Sequence, residues 1–280
     1  MPGPPVEDFT VPLSQIPVGE KAQRAGSFGT VASHYERYRP GPPAAAVDWI
    51  IPSRVETAVD LGAGTGALSR LLLDRAANVV AVEPDDRMRA VLRDEVPGAR
   101  ALEGRGESIP LPDGSADAVL ASSSWHWMDP VPTLEEVGRV LVPGGVLGVL
   151  WSGPDPEGSF ISQARALLSA QSGSADVADG GMRGLILGDA TRPASTLEIP
   201  AGVPFAQPEH EAFRWDMALN ADELIGLLGT MSWVIMMPED RRTRVLDEAR
   251  RLLRDLLGVE GETTVDVDFR CDAWLARHAP

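Results

Sequence analysis

The sequence lacks the features of a disulfide-bonded, secreted or membrane-spanning chain. Among its 280 residues there is one cysteine, Cys271, which excludes an intrachain disulfide and fits a reducing compartment such as the cytoplasm. No apolar run approaches the roughly 20 residues that cross a bilayer. The N-terminal residues 1–26 are rich in proline and acid, so we expect a partly disordered tail there and no secretory signal.

Positive charge is also scarce. Lys21 is the only lysine, the arginines are scattered, and the formal net charge is −16. A surface that follows nucleic-acid phosphates needs clustered lysine and arginine, so we expect neither a nucleic-acid partner nor a membrane partner. The four histidines and the cysteine show no metal-ligand spacing, and no metal site is expected. A small molecule is the predicted partner, and the oligomeric state stays open.

The most informative stretch is VDLGAGTGALS, residues 59–69. An apolar run ends in Asp60, then Gly62, Gly64 and Gly66 alternate, and leucines at helical spacing follow. This order predicts a strand, a tight turn and a helix. Glycine permits positive φ and lets a ligand lie against the main chain. The free N–H groups of the new helix favour polar or anionic ligand atoms.

Two nucleotide-binding families share this pattern. Gly62, Gly64 and Ala67 fit the looser dinucleotide fingerprint, and Glu83, about 20 residues on, would accept ribose hydroxyls in either family. Asp60 favours S-adenosylmethionine, because a carboxylate can neutralise an ammonium group that NAD lacks. The stretch resembles motif I of the class I S-adenosylmethionine-dependent methyltransferases. A glycine-rich turn without any ligand is the structural alternative.

Two later segments strengthen this resemblance. Residues 104–111, GRGESIPL, are similar to the family's G-x-A-E-x-L-P-L segment, which places Gly106 and Glu107 against adenine. Glycine replaces the usual alanine, which we expect to be a harmless departure. Residues 138–152, GRVLVPGGVLGVLWS, resemble the RVLxPGG signature before the family's fifth strand, which dehydrogenases are not expected to carry.

The segment SSSWHWMD, Ser122–Asp129, follows the predicted fourth strand, at the edge where open α/β sheets bind ligands. It resembles the HWxD segment of a methyltransferase subgroup that includes ubiquinone-biosynthesis-like and trans-aconitate-like enzymes. The resemblance implies that Ser122 and Ser123 contact the cofactor and that Trp125 and Trp127 contact the acceptor. His126 is a candidate general base, and a cofactor or pocket-wall contact is its alternative.

Further candidates flank these motifs. A YxxYRP-like helix caps the cofactor in the family, so Tyr35 and Arg39 are candidate cofactor residues and Tyr38 a candidate acceptor residue; packed tyrosines are the alternative. Met88 lies on the adenine face or in the core. In the second half, Trp233 and Met236 are candidate acceptor contacts, with core packing as the alternative. The cofactor residues expected together are Tyr35, Arg39, Asp60, Gly62, Ala63, Gly64, Thr65, Gly66, Glu83, Pro84, Met88, Gly106, Glu107, Ser122 and Ser123.

Alternating strand and helix patterns predict a parallel sheet with helices on both faces. The resemblance implies an α/β, doubly wound, mostly parallel seven-stranded sheet of the Rossmann-like methyltransferase fold with helical lid additions. We expect a domain over 27–280, divided into cap helices (27–56), a cofactor-binding half (57–151) and a substrate-side half (152–280). Thr133-x-x-Glu136 predicts a capping box, and Asn220-x-x-Glu223 a second helix cap. The predicted strands are Thr57–Asp60, Asn78–Val82, Ala99–Glu103, Asp117–Ala121, Val146–Trp151, Phe205–Leu219 and Thr263–Phe269.

The implied reaction is an in-line displacement, in which an O, N or C atom of a small, partly apolar acceptor attacks the sulfonium methyl group. The protein mainly aligns the reactants and excludes water. A carboxylate acceptor needs no base; for a hydroxyl or carbon acceptor His126 is the nearest candidate. Two other functions stay open at this point: an NAD-dependent oxidoreductase, and a regulator that binds S-adenosylmethionine without catalysis.

Overall fold

The computed structural model describes Gly29, residues 32–170 and residues 196–279. One sheet of seven strands has the order β3-β2-β1-β4-β5-β7-β6. The strands are β1 (Val55–Leu61), β2 (Ala76–Val82), β3 (Arg100–Leu102), β4 (Ala116–Ser122), β5 (Leu141–Pro154), β6 (Glu209–Asn220) and β7 (Thr264–Arg277). The helices are α1 (Ala32–Tyr38), α2 (Ala44–Ile50), α3 (Ala67–Leu72), α4 (Asp86–Glu95), α5 (Pro130–Val140), α6 (Ser159–Ala170), α7 (Ala221–Gly229), α8 (Ser232–Ile235) and α9 (Glu239–Leu257).

The sheet is mostly parallel, as predicted. β1 pairs in parallel with β2 and β4, β2 with β3, and β4 with β5. Only β7 runs antiparallel, between β5 and β6. The carboxyl ends of β1, β2, β4 and β5 therefore meet at one edge, where open α/β sheets bind ligands.

Both faces of the parallel strands are covered, which explains why those strands read as nearly continuous apolar runs. Helices α2, α3 and α4 pack on one face through a core that includes Leu72, Leu92 and Leu120. Helix α5 packs on the other face through a core that includes Leu134 and Val149. No helix within the described ranges is both long and apolar enough to cross a membrane.

The predicted capping box at Thr133 is wrong. Helix α5 begins at Pro130, because proline suits the first turn, where its missing N–H has no intrahelical acceptor. Thr133 is consequently a fully buried residue inside the helix. The Glu136 carboxylate accepts the Ile109 backbone N–H at 2.9 Å and an Arg139 N–H at 2.8 Å. The second predicted cap is confirmed, since Asn220 and Glu223 form a reciprocal capping box at the start of α7.

Several element bounds differ from the sequence prediction. The helical spacing of leucines after the glycine turn predicts a helix over Ala67–Ala76, but this helix ends at Leu72, because Ala76 already pairs with Val55 in the sheet. The last strand extends to Arg277, beyond the predicted Phe269, because it pairs with a neighbour on each side. The expected N-terminal tail lies outside the described residues. The glycine-, alanine- and serine-rich composition of residues 169–196 predicts a loop or broken helix, and most of this segment also lies outside them.

Helix α1 is anchored to its surroundings by close contacts. The Tyr38 ring packs directly over Gly226 of α7, and the His34 ring contacts that of Tyr38 with 4.7 Å between centroids and a tilt of 50°. The Glu36 carboxylate accepts an N–H of Arg70 on α3 at 2.7 Å. Helix α1 thus bridges the helix that follows the glycine turn and the helices of the second half.

Replacing Gly226 with alanine should loosen this contact. A Cβ atom at position 226 would overlap the Tyr38 ring, and overpacking of this kind typically costs about 1–3 kcal/mol. We expect Gly226→Ala to lower the free energy of unfolding by about 1–2 kcal/mol, measured by chemical denaturation. The cost should disappear in a Tyr38→Ala background, which makes room for the methyl group. An equal cost in both backgrounds would contradict the assigned contact.

Candidate functional site

A cavity of about 480 Å³ opens at the carboxyl edge of the sheet. It lies against the ends of β1, β2 and β4 and against the segment that follows α1. All predicted cofactor residues except Gly66 line it. The lining includes Tyr35, Arg39, Asp60, Gly62, Ala63, Gly64, Thr65, Glu83, Pro84, Met88, Gly106, Glu107, Ser122 and Ser123. The sequence motifs are therefore brought together in space.

The glycine turn needs its glycines for different reasons. All three have positive φ, with values of 70° at Gly62, 56° at Gly64 and 98° at Gly66, a region that side chains with a Cβ rarely adopt. A Cβ on Gly62 would lie 2.6 Å from that of Ser124, whereas one on Gly64 would meet nothing within 4 Å. Gly66 instead faces Val96, so this glycine serves helix packing.

Asp60 is a buried carboxylate, and only one of its two oxygens accepts a hydrogen bond from the described residues. Its side chain is almost fully buried, and Oδ2 accepts the hydroxyl of Ser69 at 2.6 Å. Oδ1 has no hydrogen-bond partner among the described residues. Burial raises the pKa of Asp60 to about 7. A cationic donor at Oδ1 would satisfy this oxygen and favour the ionised form.

Glu83 is held at the tip of β2 by two backbone donors. Oε2 accepts the N–H of Gly64, and Oε1 accepts the N–H of Asp85, both at 2.9 Å. Burial raises the pKa of the Glu83 carboxyl, and these two N–H groups oppose that rise. Each oxygen keeps acceptor capacity for a further donor, as recognition of a ribose diol requires.

The SSSWHWMD segment folds back over the end of β1. The Ser124 hydroxyl donates to the Leu61 carbonyl at 2.7 Å, and Trp125–Trp127 form a 3₁₀ turn. Ser123 has φ 52°, the only positive value of a non-glycine residue in the described part of the chain. Such strain is often retained at ligand sites.

Among the predicted acceptor residues whose side chains the structure describes, only Trp127 lines the cavity. Trp125 is buried in the core under α5. Tyr38 does not line the cavity, because its ring packs on Gly226. Met236 is likewise absent from the lining, and nothing is described for the side chain of Trp233.

His126 lies beside the cavity and does not line it. Its ring contacts that of Trp127, with 4.8 Å between centroids and a tilt of 51°. His126 therefore lies next to a residue of the cavity wall, and its roles as general base or as pocket-wall or cofactor contact stay predictions.

Glycine at position 106, where the family's segment has alanine, is not the harmless departure that the sequence predicted. A Cβ there would lie 2.6 Å from Met128 Sδ and 2.8 Å from Thr133 Oγ1. Glycine is therefore what lets Met128 approach the main chain and form part of the cavity wall. The Glu107 carboxylate accepts the Asp129 N–H at 2.7 Å, which joins this segment to the start of α5.

Sequence reasoning missed part of the lining. The lining residues that were not predicted lie in the segment after α1, within α3, after Glu83 and around Trp127. Each stands next to a predicted motif in the sequence, and this proximity is the signal by which they could have been found. They are Pro40, Gly41, Ala67, Leu68, Asp85, Arg105, Ser124, Met128 and Asp129. No cluster of three metal-ligating side chains was found in the described part of the chain.

The polar and apolar groups that line the cavity fit S-adenosylmethionine. The unpartnered Oδ1 of Asp60 suits the ammonium group, and the open side of Gly64 leaves room for the ligand beside the main chain. Glu83 suits the ribose hydroxyls, and Met88, which is buried and lines the cavity, suits the adenine face. Arg39 lines the same cavity, and its Nη1 donates to Met231 Sδ, outside the lining, at 3.5 Å.

Comparison with known proteins identifies the chain as a methyltransferase. The family described as a methyltransferase domain matches residues 59–149. The chain is similar to an uncharacterised methyltransferase of Mycobacterium tuberculosis H37Rv, with 37% identity over 227 residues, covering 81% of this chain and 85% of the relative. An uncharacterised methyltransferase-like protein of Schizosaccharomyces pombe shares 27% identity, covering 91% and 96%. A solved structure from Anaeromyxobacter dehalogenans, proposed to be a type II methyltransferase, is similar with a TM-score of 0.53 and 25% identity, covering 87% and 99%.

Proposed function

Since the chain belongs to the class I S-adenosylmethionine-dependent methyltransferases, we propose that it methylates an O, N or C atom of a small, partly apolar molecule bound beside Trp127. One observation carries this proposal. The cavity that holds Asp60 and Glu83 continues to a wall formed by Trp127 and Met128. An indole and a thioether favour contact with an apolar or aromatic group.

We propose distinct binding roles for the polar residues of the cavity. Asp60 binds the ammonium group and Arg39 the carboxylate of the amino-acid part, because a guanidinium and a carboxylate form strong charge-assisted hydrogen bonds. Glu83 accepts the ribose hydroxyls. The remaining cofactor contacts come from the main chain of the glycine turn, from Met88, and from the segment around Gly106.

When bound, S-adenosylmethionine supplies a methyl group on a positively charged sulfur that leaves as a neutral thioether. The chain's own residues align the acceptor and exclude water. Trp127 is proposed to form the wall against which the acceptor lies. His126 is proposed to support the Trp127 ring, and this position favours acceptors that need no general base, such as a carboxylate.

The SSSWHWMD segment supports assignment to the HWxD-containing subgroup, which includes ubiquinone-biosynthesis-like and trans-aconitate-like enzymes. We also retain the division into a cofactor-binding half over 57–151 and a substrate-side half over 152–280. A cytoplasmic location fits the single cysteine, Cys271, which is fully buried in β7.

The test is transfer of a labelled methyl group from S-adenosylmethionine to a panel of small molecules. The panel should contain carboxylic acids, phenols and amines, each with an apolar and a polar member. We expect label in an apolar or aromatic member, with S-adenosylhomocysteine formed in equal amount. Label found only in polar acceptors, or only in added protein or nucleic acid, would contradict the proposed acceptor class.

Replacing Trp127 should affect the acceptor more than the cofactor. We expect Trp127→Ala to lower kcat/KM for the acceptor by about 10-fold, since a lost aromatic contact of about 1.4 kcal/mol has this effect. Affinity for S-adenosylhomocysteine, measured by calorimetry, should stay within about 3-fold. Val131→Ala is a matched control, because Val131 is exposed nearby on α5. An unchanged acceptor kcat/KM in Trp127→Ala would remove Trp127 from the acceptor wall.

A further inference from the structure

Arg89 is a buried arginine on the helix that follows Glu83. Its side chain is 7% exposed, and it does not line the cavity. Nη1 donates to the carbonyl oxygens of Glu83 and Pro84, both at 2.7 Å. Nη2 donates to Glu103 Oε2 at 3.2 Å. One guanidinium thus joins the tip of β2 to the segment that follows β3.

Stabilising a turn with these hydrogen bonds requires the burial of a charged side chain. Burying a guanidinium costs free energy unless all its donors are satisfied, and Nε–H of Arg89 is buried with no partner among the described residues. The Glu103 carboxyl is 79% exposed, and such ion pairs contribute little. What Arg89 does achieve is a fixed main chain at Glu83 and Pro84, with a positive charge beside the Glu83 carboxylate.

We propose that Arg89 is a positioning residue for ribose recognition, which fixes the turn that presents Glu83. This inference rests on the proposed ribose role of Glu83. Burial above all, and then the neighbouring Asp85 carboxylate, raise the pKa of Glu83, whereas the backbone N–H groups of Asp85 and Gly64 and the Arg89 charge lower it. The Glu83 carboxylate in turn raises the pKa of Asp60, across the glycine turn.

The experiment measures discrimination of the 2′-hydroxyl. Adenosine and 2′-deoxyadenosine serve as probes, because neither carries the ammonium group assigned to Asp60. We expect the wild type to bind adenosine about 10-fold more tightly than 2′-deoxyadenosine, the effect of one hydrogen bond to a charged group. In Arg89→Met this ratio should fall to about 2-fold, and adenosine affinity should fall by about 10-fold.

The pH dependence of adenosine affinity distinguishes a positioning role of Arg89 from a general loss of structure in its variants. Adenosine affinity should decrease as the pH falls and Glu83 takes up a proton, and this midpoint should lie at higher pH in Arg89→Met. Arg89→Lys keeps the positive charge, so the midpoint of the pH profile should stay near that of the wild type. Lysine cannot donate the several fixed hydrogen bonds of a guanidinium, so the preference for adenosine over 2′-deoxyadenosine should be reduced. Arg93→Met, an exposed site on the same helix, and Glu103→Gln should leave both quantities unchanged.

The outcomes distinguish this inference from the proposed role of Glu83. If Glu83→Gln keeps the wild-type ratio, the ribose assignment fails and the Arg89 inference with it. If Glu83→Gln abolishes discrimination while Arg89→Met keeps the wild-type ratio and midpoint, only the Arg89 inference is overturned. Should Arg89→Met fail to fold, Arg89→Lys decides: a reduced ratio supports positioning, and a wild-type ratio overturns it.

Discussion

Asp60→Asn is expected to weaken S-adenosylmethionine binding by about 30–150-fold, because one charged hydrogen-bond partner contributes about 2–3 kcal/mol. Asparagine keeps the shape of the side chain and an oxygen that can accept the Ser69 hydroxyl. It removes the negative charge and places an N–H₂ group where Asp60 Oδ1 now has no partner among the described residues. An ammonium group would then meet a donor in place of an acceptor.

Titration calorimetry with S-adenosylmethionine and S-adenosylhomocysteine measures this loss. 5′-Methylthioadenosine is the matched control ligand, since it shares the adenosine part but lacks the ammonium group. Its affinity should stay within about 3-fold of the wild-type value. Equal losses for all three ligands would indicate a damaged cavity, and unchanged affinity for S-adenosylmethionine would show that Asp60 does not bind the ammonium group.

Without ligand, the same substitution is expected to stabilise the protein at alkaline pH. The pKa of Asp60 is about 7 in the folded chain, against 3.8 for an unburied aspartate. A folded state that holds its proton more tightly loses stability as the pH rises from about 4 to about 7. With about 1.4 kcal/mol for each pH unit, the cost above pH 8 reaches about 4 kcal/mol. Asparagine avoids this cost.

Chemical denaturation of both ligand-free proteins at pH 5 and pH 8 tests the sign. The advantage of Asp60→Asn should be about 3 kcal/mol larger at pH 8 than at pH 5, because the wild type loses stability over the roughly two pH units between pH 5 and the Asp60 pKa. Ser69→Ala is the control, because it removes the hydroxyl donor and keeps the carboxylate. A difference between wild type and Asp60→Asn that is the same at both pH values would mean that Asp60 titrates normally. Opposite signs for binding and stability would identify Asp60 as a functional carboxylate that the fold tolerates at a cost.

The cofactor side of the cavity was predictable because its signals are local. Asp60 lies in the last two residues of β1, the glycine turn and Glu83 directly follow a strand, and parallel strands bring their carboxyl ends to one edge. A periodic apolar run was therefore enough to place these residues together. The comparisons support the methyltransferase over the NAD-dependent oxidoreductase that the glycines alone left open.

The acceptor side was less predictable because its contacts are distant in sequence. Nothing near Tyr38 indicates that its ring meets a glycine of α7. Trp125 and Trp127 are two residues apart, yet the 3₁₀ turn sends one into the core and leaves the other on the cavity wall. Glycine at position 106 gains its meaning only from Met128 and Thr133, which approach it from another segment.

The position of β7 in the sheet has a consequence for the order in which the chain can fold during synthesis. β7 comes after β6 in sequence but lies between β5 and β6, with nine residue pairs to β5 and twelve to β6. Until the ribosome has released residues 264–277, β5 has an open edge and β6 has no neighbour in the sheet. Unpaired edges of this kind are prone to association with other chains. The pairing of β5 is therefore completed only by a strand made more than a hundred residues later, and such non-local pairing slows folding.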